Sequence, residues 1–543
     1  MNDTDQATPS PRFASLLCPP IALWMLWRDK QSSRVGRSIF LLVVMLVQLG
    51  LGLFILGKAG WVRLDWDGRG RPGALRWLQA APHSANLIYS DLKPIEDDPA
   101  QWPGFRGASR DGVYTGPTLR TDWNQKAPKS AWKTKVGGGH SSMTIARGRL
   151  FTLEQCSEGE AITAYNLTDG KGLWRHVSPG EFNDSWSFGG IGPRTTPTWD
   201  DGRLYTMGAE GQLHCLDAKT GKVVWQKNIF ENFGTRNLPF GMSASPLVAG
   251  GRLIITAGAR AGTAKDTVFA LDKQTGEILW RAAAENQAYM SPMTATLAGR
   301  EQLLLCAGRK IQGLSLEEGE ILWTVRWTVS GGNNIAQPIV VDDTHVFISS
   351  GYGKGCGLVE VSQTDGEFSG KLVWENKRLK NKFTSSVLHE GHLYGLDSSG
   401  NDSSGGGDGA NLVCLKAESG DEVWRGENYG HGQLLLAQGH LIIQCENGDL
   451  ALAKATPESH QQIARLPALP GKTWNNPALA NGHLYLRNDQ QMICYDIRPG
   501  SKAGSVTLNT STGEALSVLA AAFLLLNGLG CIGLGIFVRP ASD

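Results

Sequence analysis

The chain carries almost no net charge: 52 Lys and Arg face 51 Asp and Glu over 543 residues, leaving +1. A bulk electrostatic attraction to nucleic acid is therefore excluded. It also lacks H-E-x-x-H, G-x-S-x-G and the P-loop, so the sequence signals no zinc protease, nucleophile elbow or phosphate-cradling loop. One dinucleotide-type pattern, Gly528-Leu-Gly-Cys-Ile-Gly533, follows no strand and has no ribose-binding acid after it; its glycines read as helix-packing residues. What the chain has in excess is glycine (68) and tryptophan (18). The first implies many tight turns, the second a large packing group used over and over.

Two segments are free of charge altogether. Ile39 to Gly57 is 19 residues and Ala515 to Val538 is 24, each long enough to cross a bilayer as a helix. Phe13 to Trp27 is shorter, contains Pro19 and Pro20, and reads as an interfacial segment. The expected organisation is a tail (1–38), a transmembrane helix (39–57), a linker and lead-in (58–130), a large domain (131–502), a linker (503–514), a second transmembrane helix (515–538) and a tail (539–543). Four basic residues precede the first span (Arg28, Lys30, Arg34, Arg37) and four follow it (Lys58, Arg63, Arg69, Arg71), so the positive-inside rule is tied.

The large domain repeats itself. LDAKTGKVVWQ (216–226) returns as LDKQTGEILWR (271–281), and tryptophans closing the same phrase stand at Trp174, Trp225, Trp280, Trp323, Trp374 and Trp424. A spacing of roughly 43 to 55 residues fits a four-stranded propeller blade rather than a helical repeat of about 34. In each period an Asp ends a strand, a Gly-containing turn follows, and the next strand delivers the Trp at one fixed height, where it packs on the neighbouring blade. Blades are expected at 139–176, 191–228, 241–282, 288–325, 333–377, 382–428 and 429–469, the seventh having Ile463-Ala-Arg-Leu466 in place of the Trp phrase. The eighth, 473–500, has three strands; Ala131 to Val136, with Trp132, supplies the fourth and closes the circle. The expected fold is an all-β, eight-bladed β-propeller flanked by a transmembrane helix at each end.

This D-x-x-[TS]-G-x-x-x-W unit resembles the quinoprotein-type (PQQ-like) β-propeller repeat. That superfamily includes eight-bladed quinoprotein dehydrogenases and the outer-membrane assembly scaffold BamB, which binds no cofactor. The resemblance covers 131–500, and Trp102-Pro-Gly-Phe-Arg-Gly107 is similar to the lead-in of membrane-anchored bacterial proteins of this type. It implies a propeller outside the cytoplasm. The dehydrogenases show an adjacent Cys-Cys pair, calcium held by Glu and Asn, a catalytic Asp and in some cases C-x-x-C-H; this chain has neither cysteine motif. Glu285-Asn286 and Glu427-Asn428 are calcium-type residues that read as solvated loops, and Asp397 to Asn411 reads as a flexible insert. No metal or catalytic residue is assigned, and no cofactor is expected; pyrroloquinoline quinone with calcium is the alternative.

Residues in slots shared by many blades read as structural. His392, His440 and His483 alternate with Arg149, Arg203 and Arg252 in one turn slot, and Cys215, Cys414 and Cys494 share a third-strand slot too far apart for disulfides. Idiosyncratic residues are the candidates. Those entering the inner strands are His140, Arg194, Met242, Tyr289, Asn333, Asn334, His431, Trp474 and Asn475, expected to line a funnel for a polar ligand or inserted peptide. Two long inter-blade loops carry Phe182, Trp186, Phe188, Phe230, Phe233 and Arg236, a hot-spot composition for a protein partner. The expected function is a membrane-anchored, non-enzymatic binding scaffold acting through its loop-rich face; the alternative is a membrane quinoprotein dehydrogenase oxidising an alcohol or sugar.

Overall fold

The computed structural model describes residues 87–97, 101–184, 189–260, 266–282, 289–398 and 409–502, and the strands Val62–Trp66 and Pro72–Trp77, which pair as a separate hairpin. Both expected spans lie outside the described residues, as do Trp186, Phe188 and Glu285-Asn286. Among the described residues no helix is long and apolar enough to cross a membrane.

Eight antiparallel blades form, each beginning with an inner strand and ending with an outer one. Their first strands are Thr144–Ala146, Thr198–Asp200, Leu247–Ala249, Met293–Leu297, Ile339–Val340, Val387–His389, Gln433–Ala437 and Ala478–Ala480, for blades 1 to 8. Blade 8 takes its outer strand from Lys129–Lys135, which pairs with Gln491–Asp496, as the sequence predicts. Blade 7 ends on Gln462–Pro467 and, in addition, receives Val113–Tyr114 alongside its first strand as a fifth, parallel member.

The repeated phrase turns out to join two blades at once. Asp217 Oδ1 accepts from the amide (2.9 Å) and hydroxyl (2.7 Å) of Thr220, closing the turn, and Gly221 sits at φ 73°. Trp174 of the preceding blade lies on that glycine: a Cβ there would come 2.5 Å from the indole Cε3. The same indole donates to Ala218 O, one residue past the Asp, at 3.2 Å. Trp132, Trp225, Trp280 and Trp424 make the equivalent bond to Leu167, Lys273, Leu316 and Thr456 at 2.9 to 3.2 Å. Trp323 bonds Gln302 instead (2.6 Å), and Trp374 rests against Gly420. The glycine thus serves both the left-handed turn and the close approach of a neighbour's indole.

The third-strand residue facing the Trp is small in every Trp-bearing blade but the fifth, where Leu358 faces Trp374. Ala164, Cys215, Ala270, Gly313, Cys414 and Cys494 hold that register opposite Trp174, Trp225, Trp280, Trp323, Trp424 and Trp132. This explains the three cysteines: every described cysteine is buried and free. The turn histidines are structural as well, since His392, His440 and His483 each bond through Nδ1 to the carbonyl two residues earlier, as Arg149 and Arg252 do through Nη1.

Connections from first to second and from third to fourth strands are short and share one face, with one departure from the expected uniformity. Blade 5 extends its outer hairpin to ten residues a side, Gly355–Thr364 and Glu367–Asn376. Trp323 packs against Gly370 of that extension. The inter-blade segments on the opposite face are long, and the one between blades 2 and 3 contains a short helix, Ile229–Phe233, capped by Asn228.

The segment from Trp102 to Tyr114 belongs to the propeller itself and fills its axial opening. Trp102 is buried and pairs with Ile145 of blade 1, and Trp199 N of blade 2 donates to Pro103 O at 2.8 Å. The Arg110 guanidinium donates to Ser245 O (3.1 Å), Pro246 O, Pro292 O (2.8 Å) and Thr198 Oγ1 (3.3 Å), reaching blades 2, 3 and 4. Arg106 donates to Ser385 O (3.4 Å) and Ser386 O (2.8 Å) of blade 6. Gly482 N of blade 8 donates to the Tyr114 hydroxyl at 3.2 Å. Both arginines are fully withdrawn from water, and burial pulls the Arg106 guanidinium down to about 10 and that of Arg110 to about 9. They stay charged at neutral pH, held by carbonyl dipoles.

Candidate functional site

On the loop-rich face, the residues just ahead of the first strands of blades 6, 7, 8 and 1 bring four rings together. Phe383 lies 4.5 Å from Trp474 and 5.5 Å from His431, and His140 lies 5.3 Å from Trp474, centroid to centroid. Gln433 ties the walls, donating through Nε2 to Phe383 O (3.2 Å) and Trp474 O (3.1 Å). Asn475 Nδ2 donates to Gly139 O (3.1 Å) and Ser141 O (2.8 Å), fixing blade 8 to blade 1. Two ammonium groups attend the cluster. Lys472 Nζ sits 2.9 Å over Trp474, and the buried Lys382 lies 5.8 Å over Phe383 and 5.7 Å over Tyr352. Such contacts are favourable and set one buried and one half-buried ammonium beside the rings.

The carboxylate of Glu446 orients the mouth. Its Oε1 accepts from Trp474 Nε1 at 2.9 Å and its Oε2 from His431 N at 2.8 Å. Calcium needs several converging oxygens. Among the described residues no group of three or more His, Cys, Asp or Glu side chains is placed for a metal, and Asn428 Oδ1 accepts from Gly430 N at 2.8 Å.

Of the expected funnel residues, His140, His431, Trp474 and Asn475 converge here. The others do not join them. Met242 and Tyr289 are buried in the core between blades 2 and 3, where the Tyr289 ring faces Phe240 at 5.8 Å. Asn334 is buried, donating to Gly308 O (2.9 Å) and accepting from Ser350 Oγ (3.0 Å), while Asn333 is half-buried in the loop beside it. Arg194 lies 4.5 Å over the Phe182 ring and donates to Gly190 O at 3.1 Å, next to the Gly189 carbonyl that His140 bonds, so it borders the mouth at His140. Phe383, Lys382, Lys472 and Glu446 escaped the sequence reading; the position directly ahead of a first strand was the available signal for Phe383 and Lys382.

The aromatic loops largely fold back. Phe182 is buried, Phe230 is half-buried, and Phe233 stacks on Phe269 at 4.4 Å and 18°. Arg236 is exposed, on a two-residue strand pairing with Ala259–Arg260. What these loops present to a partner is their rim, since the phenyl rings are spent on packing.

One buried carboxylate lies under this face. Glu160 accepts from Ala209 N at 3.0 Å, and burial pushes its carboxyl up to about 7 against an ordinary 4.5. The folded chain then holds a proton that the unfolded chain has released between pH 4.5 and 7, so this contribution to stability is complete below 4.5 and lost as pH rises through 7. Nearby His214, 5.1 Å from His176, is drawn by burial down to about 4 and contributes with the opposite sign, its share lost as pH falls from 6.5 through 4. Glu160→Gln keeps an acceptor for Ala209. It should raise Tm at pH 8 and leave Tm at pH 4.5 nearly unchanged, by differential thermal unfolding; an equal shift at both pH values would refute the assignment.

Eight four-stranded blades, joined at six interfaces by a Trp-on-Gly contact and with the last closed by an N-terminal strand, define a repeat-type β-propeller. The family described as "Outer membrane protein assembly factor BamB" matches residues 158–425. Similar proteins include the outer membrane protein assembly factor BamB of Yersinia pestis, 21% identical over 48% of this chain and 63% of its own length. Another is the dehydrogenase subunit of the alcohol dehydrogenase (quinone) of Gluconacetobacter polyoxogenes, 25% identical over 48% of this chain and 34% of its own. Each match thus spans less than two thirds of the relative. Among solved structures, the quinohemoprotein alcohol dehydrogenase of Comamonas testosteroni superposes with a TM-score of 0.57 at 13% identity, covering 74% of this chain and 81% of that one; the likeness is one of fold. The chain is thus similar, through a repeat matched over 158–425, both to BamB proteins and to quinone-dependent alcohol dehydrogenases.

Proposed function

We propose that this propeller is a non-enzymatic binding scaffold that recruits a protein partner at the mouth of its loop-rich face, tethered to the membrane through 39–57 and 515–538 and held outside the cytoplasm. The observation that carries this reading is the mouth itself: Phe383, His431, Trp474 and His140 gathered from four consecutive blades above an axis filled by the chain's own lead-in. The rings, with the half-buried Lys472 over Trp474, suit an inserted peptide carrying an aromatic and an acidic residue.

A photo-crosslinking residue at Phe383, in full-length protein in its native membrane, is expected to give a discrete protein adduct that Trp474→Ala removes. The same probe at Val373, on the outer edge, should give none. In parallel, purified protein is titrated with pyrroloquinoline quinone and calcium while tryptophan fluorescence and dye-linked alcohol oxidation are followed. Saturable quenching with turnover would replace this reading by the quinone-dependent dehydrogenase one.

A further inference from the structure

Residues 87–97 lie on blade 1, joined to its outer strand by a single parallel bridge at Tyr89 and Gly172, and bury little of themselves. Ser90 N donates to Gly172 O and Gly172 N to Ile88 O, both at 3.0 Å, and Glu96 forks onto Arg149. Yet Ile88, Tyr89, Leu92 and Ile95 are 72, 61, 50 and 63% exposed. Four large apolar side chains within eight residues make a continuous patch, which single scattered residues do not.

Its location says what covers it. The segment is bonded to the short-turn face: Arg147 Nη1, in the first turn of blade 1, donates to Glu96 O at 3.1 Å, and Ser90 Oγ donates to Asp169 in the outer turn at 2.9 Å. The other end of the described chain leaves the same face one blade away, where Arg120 N donates to Ile497 O at 2.9 Å and Arg498 lies against Gly482. Only 30 residues (58–87) separate the apolar run 39–57 from Ile88, and 12 (503–514) separate Lys502 from the run 515–538. Twelve residues reach at most about 43 Å. The turns on this side are mixed in charge, Lys171 pairing with Asp169 at 3.9 Å and Lys219 with Glu96 at 3.6 Å, so the apolar side chains are what distinguishes this side.

We propose that the propeller stands with its short-turn face toward the bilayer, tilted onto the side of blades 8, 1 and 2, and that Ile88, Tyr89, Leu92 and Ile95 insert into the lipid headgroup layer. The loop-rich mouth then points away from the membrane. Asp91 and Asp97 stand in the same segment, so apolar burial supplies the contact and the place of the four side chains sets the tilt. This rests on the reading of 39–57 and 515–538 as spans.

The test uses the full chain with Cys18 and Cys531 replaced by serine, reconstituted in phosphatidylcholine–phosphatidylglycerol vesicles. Ile88→Cys and Leu92→Cys carry an environment-sensitive nitrobenzoxadiazole label, with Val373→Cys as the reference. The expected result is blue-shifted emission at 88 and 92, quenched by headgroup-level spin-labelled lipid at least twofold more than at 373. Water-like emission at 88 and 92 in a chain that resists carbonate extraction overturns the orientation and leaves the tether standing. Blue-shifted emission in a chain that carbonate removes supports the lipid contact and overturns the tether.

Discussion

Arg110→Ala is expected to be among the most damaging single substitutions in the propeller, costing on the order of 4 kcal/mol and lowering Tm by several degrees or more. The guanidinium serves four acceptors on three blades, and three of them are buried carbonyls that no water reaches once the axis is filled. Removing the donor leaves Ser245 O and Pro292 O desolvated without it, a larger loss than the bonds themselves, while Pro246 O keeps the Thr198 hydroxyl. Arg110→Lys should rescue little, because one ammonium on a flexible stem does not span the fork. Arg110 also sits at φ 58°, so Arg110→Gly loses the guanidinium but relieves the left-handed strain. The expected order of stability is wild type, then Gly, then Ala, with the two variants about 1 kcal/mol apart. Chemical denaturation of the three proteins checks it; variants within 1 kcal/mol of wild type would mean that the lead-in merely lies in the axis.

That lead-in marks the boundary of what the sequence discloses. The blades were legible because each carries its own punctuation: an Asp that caps a turn, a Gly that permits it and a Trp at constant height, repeated often enough to be counted. Even the swapped strand around Trp132 could be found, since blade 8 lacked a fourth member. Trp102 to Tyr114 has no such grammar. Its arginines and glycines read as a solvated linker by composition, and only the tertiary setting, a circle of inward carbonyls, makes burial of Arg106 and Arg110 favourable. The mouth was half legible for a related reason. Occupying the slot ahead of a first strand identified His140, His431, Trp474 and Asn475, but the same slot sends Met242 and Tyr289 into the core between blades 2 and 3. Which way a side chain turns there depends on the neighbouring loops, and those differ from blade to blade.

The Trp-on-Gly lock gives the second large effect, and one that separates local from inter-blade causes. Trp174→Ala should destabilise by about 3–5 kcal/mol through lost burial and the lost bond to Ala218. Gly221→Ala should be comparably severe, because it forces an unfavourable φ of 73° and drives a methyl to 2.5 Å from the Trp174 indole. If the glycine served only its own turn, the two losses would add. Since the added methyl collides with that very indole, Trp174→Ala opens space for it, and the double variant should fall short of the sum by about 1–2 kcal/mol, leaving mainly the backbone strain. The same cycle on Trp225 and Gly276 should repeat the coupling, whereas Trp174 paired with Gly276, two interfaces that share no contact, should be additive within about 0.5 kcal/mol. Denaturant midpoints of the single and double variants supply all the terms. Additivity at both matched pairs would reduce the glycine to turn chemistry and leave the regular period of this chain without its inter-blade cause.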